Sequence, residues 1–229
     1  MTGISRREYL MQLLFPPRCL LCGDILPIQC YCERCAREIE SLRRTGDSAN
    51  LTRLNGRALG ALDGVCASFV YADGIADAVA RYKFRGERSL GRDMSALMAG
   101  DFLRVFSDAA LSAGDFFTIG VPSKEINNDH AQRLADSCGR ILKMKRAPNL
   151  LIKIRRTERQ HELGADKRAS NLAGAFSVRN SKRLPGASVL LVDDVITSGH
   201  TLGECAATLR AAGVANVYGL AFCATADRQ

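Results

Sequence analysis

The sequence predicts an α/β protein in which a mostly parallel sheet is flanked by helices and a small cysteine-rich finger comes first. Three observations carry this reading. From residue 65 onward, short apolar runs alternate with segments of helical period. Four cysteines fall as two C-x2-C pairs, Cys19/Cys22 and Cys32/Cys35. The polar stretch Thr45-Gly46-Asp47-Ser48-Ala49-Asn50 breaks the chain between these regions, so the finger is expected over residues 1–50 and the α/β domain over 51–229. With 229 residues, 47% of them hydrophobic and 24% charged, the chain has the balance of a folded protein rather than a disordered one.

Along the chain, Arg6, Arg7 and Glu8 precede an apolar patch over residues 9–15 that Pro16-Pro17 terminates. No small-residue cleavage site follows it, so it reads as a short amphipathic helix and not as a secretory signal. No run of about 18 apolar residues occurs, so no membrane-spanning helix is expected and the location expected is cytoplasmic. Residues 35–42 are helical in pattern. Residues 65–71 read as a strand, 74–84 and 90–106 as helices separated at Gly86, and 116–121 as a strand ended by Pro122. Residues 129–142 form a helix with Leu134, Cys138 and Ile141 on one face, and 150–154 a short strand. Val189-Leu190-Leu191-Val192 is apolar at every position, as a fully buried strand is. Leu202, Cys205, Ala206, Leu209 and Ala212 then recur at helical spacing, and 217–222 closes as a strand.

The cysteines point to a metal. Each C-x2-C places two thiolates on one tight turn, and two such turns clamp one tetrahedral Zn²⁺ through Cys19, Cys22, Cys32 and Cys35. Gly23 stands where the first turn needs a left-handed residue. Cys30 could replace Cys32, although Cys32 keeps the spacing to Cys35. The odd total of nine cysteines and the missing signal argue against a secreted disulfide scaffold. A closed four-cysteine site is structural, because no coordination position stays open for chemistry.

The chemistry-bearing segment is Val189-Leu-Leu-Val-Asp193-Asp194-Val195-Ile196-Thr197-Ser198-Gly199-His200-Thr201. A buried strand runs into two acids, and a hydroxyl- and glycine-containing loop then opens a helix. Free N–H groups and the dipole at that helix start favour an anion. Two acids beside a phosphate would repel it unless they take ribose hydroxyls or Mg²⁺. All thirteen residues resemble the phosphoribosyl pyrophosphate (PRPP) signature of type I phosphoribosyltransferases. The resemblance implies that Asp193 and Asp194 hold the ribose hydroxyls. It also implies that Val195, Ile196, Thr197, Ser198, Gly199, His200 and Thr201 form the loop that binds the 5′-phosphate.

More of the chain resembles the ComF family (the ComFC- and GntX-like proteins), which pairs a four-cysteine zinc finger with a type I phosphoribosyltransferase-like domain. Tyr82-Lys83-Phe84-Arg85-Gly86-Glu87 is similar to the family's L-K-Y-x-G-D stretch, which makes Lys83 a binding candidate. The run from Arg156-Thr157 through Gln160, Leu163, Arg168 and Asn171 to Phe176 is similar to its R-x-T-x2-Q-x2-L-x4-R-x2-N-x4-F. One stretch departs: Glu125-Ile126-Asn127-Asn128-Asp129-His130 stands where the family shows R-G-F-N-Q beside the pyrophosphate loop. Asp129 and His130 are polar replacements there, with His130 read as a surface residue at a helix start.

The charge sets the partner classes. The net charge is +8, and residues 140–168 alone carry ten Lys/Arg against three Asp/Glu. Such a field suits a polyanion, either a phosphate-rich ligand or nucleic acid. Arg155, Arg156, Arg159, Lys167 and Arg168 lie where the phosphoribosyltransferases carry a mobile loop, so Arg156 and Arg168 are candidate pyrophosphate contacts. His161 lies in the same loop, and no general base is assigned. The family resemblance implies PRPP and Mg²⁺ binding linked to DNA uptake in natural transformation, with a phosphoribosyltransferase of unknown acceptor as the enzymatic form. The alternatives are a non-catalytic protein binding single-stranded DNA or a partner, and a GntX-like role in gluconate utilisation. Residues 140–168 contain no Phe, Tyr or Trp, so base stacking by that stretch is not expected.

Overall fold

The computed structural model describes residues 16, 18–26, 30–45, 49–51, 59–106, 115–123, 129–155, 172–179, 182 and 184–226. The expected helix over residues 9–15 lies outside them. The described elements are α1 (Glu33–Leu42), β1 (Gly64–Val70), α2 (Asp73–Phe84), α3 (Leu90–Val105), β2 (Phe116–Gly120), α4 (His130–Ile141), β3 (Lys145–Arg146), β4 (Leu151–Lys153), β5 (Phe176–Val178), β6 (Ser188–Ile196), α5 (His200–Ala211) and β7 (Asn216–Ala224).

Five strands form one parallel sheet in the order β1-β7-β6-β2-β3, and β4 and β5 form a separate antiparallel pair. The apolar residues of β6 alternate between two cores, as a strand covered on both faces requires. Leu190 and Val192 join Ile75, Tyr82, Met94, Phe102 and Leu134 from α2, α3 and α4. Val189 and Leu191 join Leu202, Cys205, Ala206 and Leu209 from α5. The finger shares the first of these cores, since Cys19, Leu20, Leu21 and Ile39 are buried in it. The chain leaving the finger then lies along β1, with Arg44 N–H donating to Ser68 O (2.8 Å) and Leu51 N–H to Val65 O (2.8 Å). It covers an edge that would otherwise offer an unpaired ladder.

Two expectations need correction. The strand expected over 150–154 is present as β4, but it pairs with β5 and not with the main sheet. Its buried Leu151 pairs with Val178 of β5 and lies with Phe176 in the core on the α5 side. The strand expected over 189–192 runs nine residues, through both acids, because β7 pairs with it out to Ile196↔Ala224. Backbone pairing there overrides the polar side chains.

Gly120 ends β2 against the first turn of α4. A Cβ at this position would overlap the backbone of Ala131 and Gln132. The Gly120 N–H donates to Gln132 Oε1 (3.1 Å), which locks the approach. Gly120→Ala is therefore expected to cost about 3 kcal/mol of stability, since neither backbone can yield without breaking β2 or α4. Urea unfolding measures this, and an unchanged midpoint would contradict it.

Candidate functional site

The topology fixes where a ligand belongs. From β2 the chain passes through α4 to β3 at one edge, and from the neighbouring β6 it passes through α5 to β7 on the other side. α4 covers one face of the sheet and α5 the other. The chain thus departs in opposite directions from two adjacent strands, and the crevice at their carboxyl ends is the switch point where open α/β sheets bind ligands.

Both predicted acids stand in that crevice. The pairing of β2 with β6 ends at Gly120↔Val192, and Val121 N–H makes the last bond, to Val192 O (2.8 Å). Asp193 and Asp194 follow immediately, where β6 keeps only β7 as a neighbour. Successive residues of a strand face opposite ways. Asp194 faces the α2 side, 5% exposed, and its Oδ1 pairs with Lys83 Nζ at 2.7 Å. Asp193 is half-buried and turns toward the α5 side, and its Oδ1 accepts the Asp194 N–H (2.9 Å).

The electrostatics follow from this placement. Burial, and then the charge of Asp194, push the Asp193 carboxyl up to about 8, while Lys83 pulls it down. Burial alone would lower the Lys83 ammonium, but the charge and hydrogen bond of Asp194 outweigh it and hold the group above its ordinary value. A buried pair of this kind costs desolvation and adds little net stability. What it supplies is a fixed carboxylate at the mouth of the crevice.

The loop after β6 behaves as the residue types imply. Gly199 has φ +74°, a left-handed conformation open to glycine, and it caps α5 at its N-terminus. The Gly203 N–H donates to Gly199 O (2.9 Å) as the first helical bond, so the N–H groups of residues 200–202 point out of the helix start. Thr197 is exposed, Ser198 and Thr201 are partly exposed, and Ile196 is buried in the core. Val195 and Ile196 are strand residues whose part in the loop is to hold it.

His130 begins α4, as expected, and is half-buried there. Tyr82 meets its ring edge-on at 5.3 Å and donates its hydroxyl to His130 O (2.9 Å). Burial holds the His130 pKa below its ordinary value, which favours the neutral ring. The Nδ1 atoms of His130 and His200 are both shielded without a hydrogen-bond partner among the described residues. Arg156, Arg168, Arg159, Lys167, His161 and residues 125–128 lie outside the described residues.

The cysteine cluster is a separate site. The Sγ atoms of Cys19, Cys22, Cys32 and Cys35 all lie within 4.8 Å of one another. A tetrahedral Zn²⁺ with bonds of about 2.3 Å spaces its sulfurs by about 3.8 Å, and Cys22 and Cys32 already stand 3.7 Å apart. Gly23 has φ +76°, as the first turn requires. The Cys32 thiol is pulled down to about 7 by the Cys35 backbone N–H, which favours the thiolate a metal needs. Cys30 is outside the cluster; its carbonyl accepts the Leu20 N–H (2.8 Å) and so ties the two turns together. The donor set fits Zn²⁺ with no position left open.

The sequence did not reveal Arg81, which joins the first cysteine turn to α2. It is 5% exposed. Nη1 donates to Leu20 O (3.1 Å) and Leu21 O (2.8 Å) within the first cysteine turn. Nε and Nη2 form a fork with Glu87 (3.0 and 2.8 Å), whose carboxyl is held below its usual range by that bond. An arginine in an amphipathic helix reads from sequence as a solvated charge, and only the folded chain shows its partners.

Parts of the chain are similar to known proteins. The model of the phosphoribosyl transferase domain matches residues 129–229. Competence protein F of Haemophilus influenzae is 40% identical over 96 residues, which is 41% of this chain and 42% of that protein. The DNA utilization protein YhgH of Salmonella typhi is 37% identical over 75 residues, which is 33% of this chain and 32% of its own. The chain thus spans less than half the length of these curated relatives. The hypoxanthine-guanine phosphoribosyltransferase of Schistosoma mansoni, solved in complex with IMP, superposes with a TM-score of 0.34 at 14% identity, over 58% of this chain and 55% of that one.

Proposed function

We propose that this chain, which belongs to the ComF family, binds Mg²⁺·PRPP in the crevice beyond Val192 and serves DNA uptake in natural transformation. The observation that carries the proposal is the overrun of β6 past β2. It leaves Asp193 and Asp194 at the switch point, directly before a glycine-capped helix start. In this reading the two carboxylates accept the ribose 2′- and 3′-hydroxyls, and Lys83, 2.7 Å from Asp194 Oδ1, orients that side chain for the task. The N–H groups at the start of α5, with Thr197, Ser198 and Thr201, receive the 5′-phosphate. Mg²⁺ enters on the pyrophosphate of the substrate. Arg156 and Arg168 are proposed to neutralise that pyrophosphate.

If turnover occurs, an acceptor forms a bond to the anomeric carbon as the C1–O bond to pyrophosphate breaks, and the leaving group departs with the electron pair. The protein's contribution is to orient the ribose and stabilise the departing charge. Four thiolates at Cys19, Cys22, Cys32 and Cys35 are proposed to hold a structural Zn²⁺. The alternative is a non-catalytic role in binding single-stranded DNA through the basic stretch 140–168, and such binding should weaken steeply with salt. Among the described residues, no helix is long and apolar enough to cross a membrane.

Calorimetric titration of PRPP with Mg²⁺ into the zinc-loaded chain tests the site. Binding is expected for the wild type and is expected to vanish in a folded Asp193→Asn/Asp194→Asn variant. Equal binding by both proteins would move the ligand elsewhere. Pyrophosphate release in the presence of candidate acceptors then separates an enzyme from a binding protein.

A further inference from the structure

We propose that Arg81 is a positioning residue for the phosphoribosyl site, setting Lys83 on Asp194 by fastening α2 to the cysteine cluster. This rests on the phosphoribosyl reading given above. Arg81 and Lys83 are two residues apart on one helix, so their side chains leave it roughly 200° apart. One reaches back to the Leu20 and Leu21 carbonyls of the first cysteine turn, and the other reaches across to Asp194 (2.7 Å). Tyr82 lies between them, 1% exposed, and its hydroxyl is fixed on His130 O. Three consecutive residues thus hold the last turn of α2 to three different structures.

The finger grips α2 at its other end as well. Glu38 of α1 accepts the Gly74 N–H through Oε1 (3.0 Å) and so caps a helix whose own N-cap, Ala72, has no side-chain cap. A Cβ at Gly74 would crowd both Glu38 and Leu21, so the contact is close on all sides. Helix α2 is therefore anchored to the finger at both ends, and Lys83, in its last turn, is the side chain that reaches Asp194. Movement of the first cysteine turn has few ways to relax other than by shifting that ammonium. The carbonyls that Arg81 holds lie between Cys19 and Cys22, so Arg81 ties the geometry of the cluster to the end of α2 that carries Lys83.

The test is a double-variant cycle read as PRPP affinity by calorimetry, with zinc content and unfolding midpoint measured on every protein. Arg81→Met is expected to weaken PRPP binding by about tenfold, within the usual range for coupled sites. In a Lys83→Met background the same change should have no further effect on affinity, because its route is already cut. Glu87→Gln loosens the fork on Arg81 while leaving the carbonyl contacts. It should give a smaller loss of the same kind, also absent without Lys83, and it serves if Arg81→Met does not fold. Unchanged affinity in the folded Arg81 and Glu87 variants would overturn the proposal. So would losses that add in full to that of Lys83→Met, since a merely structural role acts independently of Lys83. A wild type that binds no PRPP ends the phosphoribosyl reading and this one together. A wild type that binds, with variants that bind equally well, ends this one alone.

Discussion

Cys32→Ser is expected to produce a chain that retains no stoichiometric zinc and loses most of its unfolding cooperativity. The Cys35 backbone N–H lowers the Cys32 thiol to about 7, and Cys22 stands 3.7 Å from it. Structural zinc sites of this type carry about 10–16 kcal/mol of apparent binding free energy, which is as large as the whole stability of a typical domain, about 5–15 kcal/mol. Among its described residues the finger has no separate core to fall back on. Its apolar residues Leu20, Leu21 and Ile39 are spent on the shared core with Phe69 and Tyr82. Loss of the metal therefore reaches the sheet. The first cysteine turn opens, the Leu20 and Leu21 carbonyls leave Arg81, and a buried guanidinium keeps only Glu87 and the more distant Asp77. Losing a hydrogen bond from a buried charged group of that kind costs about 1.5–3 kcal/mol by itself.

Zinc released on thiol modification, counted per chain, together with thermal unfolding, measures the effect. Cys30→Ser is the control. Its sulfur is outside the cluster, so that variant should keep one zinc and nearly its full midpoint. If Cys32→Ser kept its zinc and Cys30→Ser lost it, the ligand set would be wrong.

Whether a feature is legible in the sequence depends on what it needs from the rest of the chain. The helices and the main strands rest on local periodicity, and periodicity lies in the residues themselves. So does the acid pair before Thr197-Ser198-Gly199, because strand, loop and helix start are contiguous. What was not legible depends on partners far away in the chain. β3 is two exposed basic residues at a sheet edge and has no apolar signature. β4 reads as a core strand until its pairing with β5 is known. Asp193 and Asp194 look like a loop, and only β7 keeps them in a strand. Lys83 sits in a recognisable motif, but its 2.7 Å bond to Asp194, far along the chain, was not legible. Arg81 and Glu38 carry no local mark at all, since charged residues on a helix mostly face water.

The affinity of the crevice for PRPP is expected to rise about fiftyfold between pH 6 and pH 8 and then to level off. Asp193 is raised from an ordinary 3.8 to about 8 by burial and by the charge of Asp194. The native fold thus favours its protonated form. The stability this group contributes is fully present below about pH 4 and is lost as the pH climbs to about 8, after which it no longer changes. Ligand binding has the opposite sign. A protonated carboxyl accepts a ribose hydroxyl poorly, so the competent fraction is the ionised one, about 1% at pH 6 and about half at pH 8, and apparent affinity follows that fraction. Binding should accordingly release close to one proton per PRPP at pH 7, which calorimetry in buffers of different ionisation enthalpy detects directly. Asp194→Asn removes the like charge and frees Lys83 for Asp193, and both changes move the inflection to lower pH. Lys83→Met removes the one cation that lowers Asp193 and moves it higher. A pH-independent affinity in the wild type, or an inflection that neither variant moves, would mean that Asp193 does not meet the ribose.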